Sequence, residues 1–209
     1  TTPTPLVDDS YVAKRLRVLD LDGKVMARIE SDGKLGRVAW SPDGRHIAMV
    51  SAADRNDPAP GRLVAMAADG GEVRDLLPGL EGHVADFDWL DAGTLVWVAD
   101  IGTRTEVGAV SIAGRNRRTL LLAGSLIVSS LDVGDNGMVA LIAQSPKHPN
   151  ELYTLTPSGG TADRRTSSNR WLADLRLANQ EAIRFKARDG LELDGILIYP
   201  LEYQKSQRY

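Results

Sequence analysis

The sequence predicts an all-β chain: a partial β-propeller of about three and a half four-stranded blades, then a separate β-hairpin. Three observations carry this. A strand–turn–strand signal occurs three times, its period is that of propeller blades, and the pattern changes after Asn169. The first occurrence runs Val38-Ala39-Trp40, Ser41-Pro42-Asp43-Gly44, then Arg45 to Val50. The second runs Phe87-Asp88-Trp89, Leu90 to Gly93, then Thr94 to Val98. The third runs Leu131-Asp132-Val133, Gly134 to Gly137, then Met138 to Ile142. The turn glycines Gly44, Gly93 and Gly137 are spaced by 49 and 44 residues, and periods of about 40–50 residues mark propeller blades.

Each occurrence continues in the same way. A polar loop follows the second strand, at Asp54 to Gly61, Asp100 to Thr105 and Ser145 to Asn150. A third strand comes next, at Leu63 to Met66, Val107 to Val110 and Leu152 to Leu155. A glycine-containing turn leads to a fourth strand near Val73, Thr119 and Ala162. Four short strands joined by tight turns make one blade, and glycine suits such turns because it takes positive φ freely. The spacing places three blades near residues 35–79, 84–122 and 128–168, with the strand before each turn nearest the ring axis. Leu16 to Leu19 and Val25 to Ile29, joined at Asp22-Gly23, read as the outer half of a preceding blade.

An open half-ring leaves blade flanks bare. Val38, Trp40, Ile47, Val139, Leu141 and Leu152 are the candidates for that surface, which calls for a partner: further blades of the same protein, or a second copy of the chain as a homo-oligomer. After Asn169, Trp171 to Leu175 fits a short helical turn with its two large residues on one face. Ile183 to Ala187 and Leu191 to Tyr199 alternate around Asp189-Gly190 as a hairpin outside the blade register. The domains therefore divide as 1–169, propeller, and 170–209, linker and hairpin.

The chain has 209 residues and a net charge of -3, which argues against nucleic acid as a partner. Arg115, Arg117 and Arg118 read as a solvated edge. No stretch approaches the roughly 20 apolar residues that span a bilayer, so a membrane is not an expected partner. The start, Thr1 to Pro5, reads as a point within a longer protein and not as a signal peptide. Cysteine is absent, which excludes disulfides and thiolate metal sites and leaves the compartment open, with a cytoplasmic one favoured.

Trp40-Ser41-Pro42-Asp43-Gly44 before an apolar strand resembles the repeat shared by Tol-type propellers and the prolyl oligopeptidase family. The stretch Glu181 to Pro200 is similar to the segment that opens the α/β-hydrolase domain of the acylaminoacyl-peptidase branch of that family. The resemblance implies a serine peptidase whose propeller caps a hydrolase domain and restricts entry to peptides. It also implies that residues 170–209 contain the first strands of that domain. The family's Gly-x-Ser-x-Gly elbow has no counterpart here: Gly124-Ser125-Leu126 lacks the second glycine, and Ser158 lacks the first. The His-Gly-Gly oxyanion segment has none either. The catalytic Ser, Asp and His are therefore expected beyond Tyr209, and no catalytic, cofactor-binding or metal-ligating residue is assigned.

Several side chains suggest chemistry but read better as structural. His83 follows Gly82 in a blade connection and has no nucleophile to serve as base for. His46 and His148 lack a second ligand at metal spacing. Asp86 and Asp88 share one strand face, where they line the channel or bond the backbone of a neighbouring blade. Asp20 and Asp22 begin a turn, since the rest of a calcium loop is absent from the pattern. Trp40, Trp89 and Trp97 sit at repeat positions that favour packing over ligand stacking. Arg55, Arg62 and Arg104 lie in or beside loops between second and third strands, where a guanidinium can hold a substrate carboxylate. Two functions remain: the non-catalytic propeller portion of a serine peptidase acting on peptides or acylated peptides, or a Tol-like protein-binding propeller.

Overall fold

Among the described residues, which are 12–30, 33–56, 59–124 and 126–209 of this computed structural model, β-strands supply nearly all the regular structure. A two-stranded sheet comes first, β1 (Leu16–Leu19) with β2 (Val25–Ile29). Three four-stranded antiparallel sheets follow, each meandering in chain order. The first blade is β3 (Leu35–Trp40), β4 (His46–Ala52), β5 (Gly61–Ala67) and β6 (Arg74–Asp75). The second is β7 (His83–Asp91), β8 (Thr94–Ile101), β9 (Arg104–Ser111) and β10 (Arg118–Leu121). The third is β11 (Ile127–Val133), β12 (Val139–Ser145), β13 (His148–Leu155) and β14 (Asp163–Arg164). A 3-10 turn at Arg170–Asp174 leads to a hairpin, β15 (Gln180–Lys186) with β16 (Glu192–Ile198). The architecture is a partial propeller.

Strand alternation builds the stack, because successive side chains leave a strand on opposite faces. On β8, Leu95, Trp97 and Ala99 face the first blade and pack with Ala48, Val50 and Leu63. Val96 and Val98 face the third blade and pack with Val139, Leu141 and Ala143. On β4, Ile47 and Met49 turn the other way and meet Val18, Ala27 and Ile29 of the β1–β2 pair. Each interface is thus closed by apolar side chains from two sheets.

Trp97 is the largest fully buried side chain. It lies directly across from Gly108 in the β8–β9 ladder, and a Cβ at Gly108 would overlap its ring. The Arg117 guanidinium sits over the same ring, 5.2 Å from its centroid. Arg118 reaches the Pro157 carbonyl of the third blade at 2.7 Å. Arg115, Arg117 and Arg118 are exposed, as a solvated edge requires, and Arg117 and Arg118 add packing and bridging contacts to it.

Other expectations change. Ile47, Val139 and Leu141 are buried between sheets, so they do not form a bare flank. Leu152 is half-buried, while Val38 and Trp40 are exposed. Trp40 is 50% exposed although Trp89, its equivalent, is buried. Trp89 packs against the four-stranded first blade, whereas the sheet before Trp40 has two strands among the described residues. Gly44 and Gly137 have positive φ, but Gly93, in the turn between Asp91 and Thr94, does not. The polar loops of the second and third blades shrink to the two-residue turns Gly102-Thr103 and Pro146-Lys147, because the strands run on through them. The hairpin begins at Gln180, three residues earlier than Ile183. The 3-10 turn forms, but Trp171 and Leu175 remain largely exposed.

The Gly108–Trp97 contact sets a prediction. Gly108→Ala should destabilise the chain by about 1–3 kcal/mol through overpacking, read as a lower urea midpoint with unchanged slope. A midpoint equal to wild type would show that the ring yields freely.

Candidate functional site

The C-terminal hairpin rests against the turns between second and third strands of the second and third blades. Asp194 of β16 packs directly on Gly102. Between the blades and the hairpin is a cleft of about 640 Å³. One wall carries Thr103, Arg104, Gln144 and Pro146 from the turns, and the other carries Glu181 and Ile196 from the hairpin. Arg104 opens β9 immediately after the Gly102-Thr103 turn, which places its side chain at the rim. It is exposed and makes no ion pair or side-chain hydrogen bond among the described residues. Glu181 accepts the Tyr199 hydroxyl proton, and that bond is the main cause raising the Tyr199 pKa above its usual value.

Two chemically capable side chains lie in or near the cleft. Ser145 lies in its wall, but its hydroxyl oxygen accepts the Lys147 amide at 3.1 Å. The nearby His148 is occupied on both ring nitrogens. Nδ1 donates to the Pro149 carbonyl at 2.8 Å, and Nε2 shares a hydrogen bond with the Tyr153 hydroxyl at 2.8 Å. A free guanidinium beside apolar side chains can grip a carboxylate while a peptide backbone lies along the wall. The other two arginines differ: Arg62 lies against the Ala52 carbonyl at 3.5 Å, and Arg55 stays exposed outside the cleft.

The two aspartates of β7 form the inner seam of the propeller. Asp86 Oδ2 accepts the Leu131 amide at 3.0 Å, and Asp88 Oδ2 accepts the Val133 amide at 3.1 Å, both on β11 of the next blade. Their Oδ1 atoms accept the Phe87 and Trp89 amides of β7 itself, at 2.9 and 2.8 Å. Arg37 of β3 closes the set from the other side, 2.7 Å from Asp86 and 3.5 Å from Asp88. One strand therefore joins three blades through carboxylates.

His83 serves a similar end. Its Nδ1 accepts the Gly61 amide of the first blade at 2.8 Å, which requires the neutral ring with its proton on Nε2. His46 is half-buried, with Nδ1 buried and unpaired in the structure. Asp20 folds onto its own turn, accepting the Asp22 and Lys24 amides at 3.0 and 2.8 Å. No cluster of three or more His, Asp or Glu side chains among the described residues stands at metal-binding geometry. Ser125 lies outside the described residues.

Glu151 leaves little mark in the sequence. It sits on β13 with a fully buried carboxylate that receives Arg164 at 3.0 Å, the Ser168 amide at 2.7 Å and the Thr166 hydroxyl. These partners draw the exit segment back onto the third blade before the chain turns toward the hairpin. Its only trace in the sequence is one acid in phase with the apolar Tyr153 and Leu155 of its strand, followed later by Arg-Arg-Thr-Ser-Ser. The Thr166 hydrogen bond is the largest cause lowering the Glu151 pKa, with the Ser168 amide and Arg164 adding to it, to about 2 from 4.5. A carboxylate depressed on folding contributes stability above its unfolded pKa, and that contribution fades as pH falls from 4.5 toward 2. Glu151→Gln should lower the melting temperature at neutral pH and flatten the loss of stability between those two values. An unchanged acid limb in thermal melts would contradict this role.

No known family profile matches the sequence, and no curated protein matches it significantly. Solved structures do resemble the fold. The Pyrococcus horikoshii acylaminoacyl peptidase superposes with a TM-score of 0.66 at 19% identity, covering 93% of this chain and 31% of that one. A variant of the AtxE2 isopeptidase with astexin3-dC4 bound gives 0.62 at 20% identity, covering 92% and 30%. A TolB-like protein from Agrobacterium tumefaciens gives 0.59 at 12% identity, covering 92% and 88%. The chain thus spans under a third of the length of the two peptidases.

Proposed function

We propose that residues 1–169 are part of the substrate-gating propeller of a prolyl-oligopeptidase-type serine peptidase, and that residues 170–209 are the linker and opening hairpin of its hydrolase domain. The observation that carries this is the seating of β15–β16 on the blade turns, with the unpartnered Arg104 between them. Such a hairpin exposes Phe185, Ile196, Leu197 and Ile198 and leaves both outer strand edges unpaired, as the first strands of a larger sheet would. The partners are then the rest of the hydrolase domain, further blades, and a peptide lying in the cleft. Asp132 stands on β11 where Asp88 stands on β7, exposed and without a partner among the described residues, and is suited to accept amides from a further blade.

Catalysis on this reading belongs to residues after Tyr209, and the propeller holds and filters the substrate. The isolated chain should not turn over fluorogenic acylated or free peptides, since no activated nucleophile is present among the described residues. In the longer protein, Arg104→Ala should raise KM about tenfold for a substrate with a free carboxylate and leave kcat within about twofold, the pattern of lost uniform binding. Turnover by the isolated chain that a serine-directed phosphonate blocks would overturn the assignment, as would an unchanged KM.

A second reading has its own support. The TolB-like structure is covered over 88% of its length, which favours a propeller that binds protein partners without catalysis. The coding sequence past Tyr209 separates the two: a Gly-x-Ser-x-Gly elbow supports the peptidase, and a stop codon supports the binding module.

A further inference from the structure

A second cleft, of about 400 Å³, lies between the third blade and the 3-10 turn. Its charge is one-sided. Lys147, on the β12–β13 turn, and Arg170, at the start of the 3-10 turn, both line it, and no carboxylate does. Neither cation has a side-chain partner among the described residues. Arg164 also lines the cleft, but Glu151 and the Thr166 carbonyl hold it at 3.0 and 2.8 Å. His148 also lines it, with Nδ1 against the Pro149 carbonyl and Nε2 against the Tyr153 hydroxyl. Leu172, Leu175 and Leu177 give it an apolar lining as well.

We propose that this cleft binds the C-terminal carboxylate of a peptide that ends in a leucine-sized apolar residue. Two free cations facing no acid call for an anion, and the planar Arg170 fork can take both oxygens of a carboxylate while Lys147 adds a point charge. The leucine lining calls for an apolar group attached next to that anion. A peptide terminus has both within a few bonds, whereas inorganic phosphate has only the charge. The site adjoins the segment that Glu151 pins, so an occupant would brace the connection between blade and hairpin. The cleft uses none of the residues of the larger one, so its occupancy is independent of the peptidase reading.

Fluorescence anisotropy on the 209-residue chain tests it, with a labelled pentapeptide ending in leucine as free acid and as C-terminal amide. The acid should bind about tenfold or more tightly than the amide, the equivalent of one lost charge-assisted contact. Lys147→Ala and Arg170→Ala should each weaken the acid about fivefold or more without moving the melting temperature. Arg184→Ala, which removes an ion pair with Asp194 on the hairpin, should leave binding unchanged. The proposal is overturned if acid and amide bind alike, if the acid does not bind at millimolar concentration, or if the Lys147→Ala/Arg170→Ala double variant binds as wild type. Competition by inorganic phosphate as effective as by the unlabelled acid would also overturn it, by showing a site for charge alone.

Discussion

The innermost strand of each blade has one edge with no neighbouring strand, and the amides along that edge need acceptors. In an isolated sheet such an edge invites pairing with another chain. Here Asp86 and Asp88 meet the need for two blades at once. One oxygen of each carboxylate takes an amide of β7 and the other takes an amide of β11. Arg37 balances the charge from the blade before. Hydrogen bonds to ionised groups contribute about 1.5–3 kcal/mol each, more than neutral ones, so this short seam fixes the blades' spacing and register near the axis. The apolar layers behind it then interdigitate without further direction.

Fixing the inner ends also fixes the outer geometry. With the first strands held together, the turns between second and third strands of the second and third blades are brought together where the hairpin meets them. The larger cleft, and Arg104 at its rim, are consequences of that placement. Glu151 does for the exit segment what the aspartates do for the blades. It gathers a chain that would otherwise leave the sheet freely and commits it to the direction of the hairpin. Two sets of carboxylates thus decide where the apolar surfaces end up facing one another.

Much of the fold is legible in the sequence because strand periodicity and turn residues are local. The three repeats, their four strands each and the hairpin all rest on alternation that can be read within about ten residues. The sequence leaves Asp86 and Asp88 either lining the channel or bonding a neighbouring blade, and the structure has them bonding β11. What escapes depends on contacts across blades. Arg117 and Arg118 look like surface charge until Trp97 and Pro157 are brought beside them. Trp40 carries the same signal as Trp89, yet one ring is exposed and the other is buried against the first blade. Glu151 looks like an ordinary strand acid until residues 164–168 fold over it. The larger cleft lies between segments far apart in the chain, such as Arg104 and Gln144, which no local pattern relates.

Amide hydrogen exchange at Leu131 and Val133 is the sharpest probe of the carboxylate seam, because it reads the donors whose acceptors the seam supplies. In wild type both amides should be protected as strongly as the ladder amides of β12. In the Asp86→Ala/Asp88→Ala variant they should exchange far faster, while the amides of β8 and β9 within the second blade keep their protection. If Leu131 and Val133 stay as protected without the two carboxylates as with them, the blades are held by their apolar layers alone and the seam does not set their register.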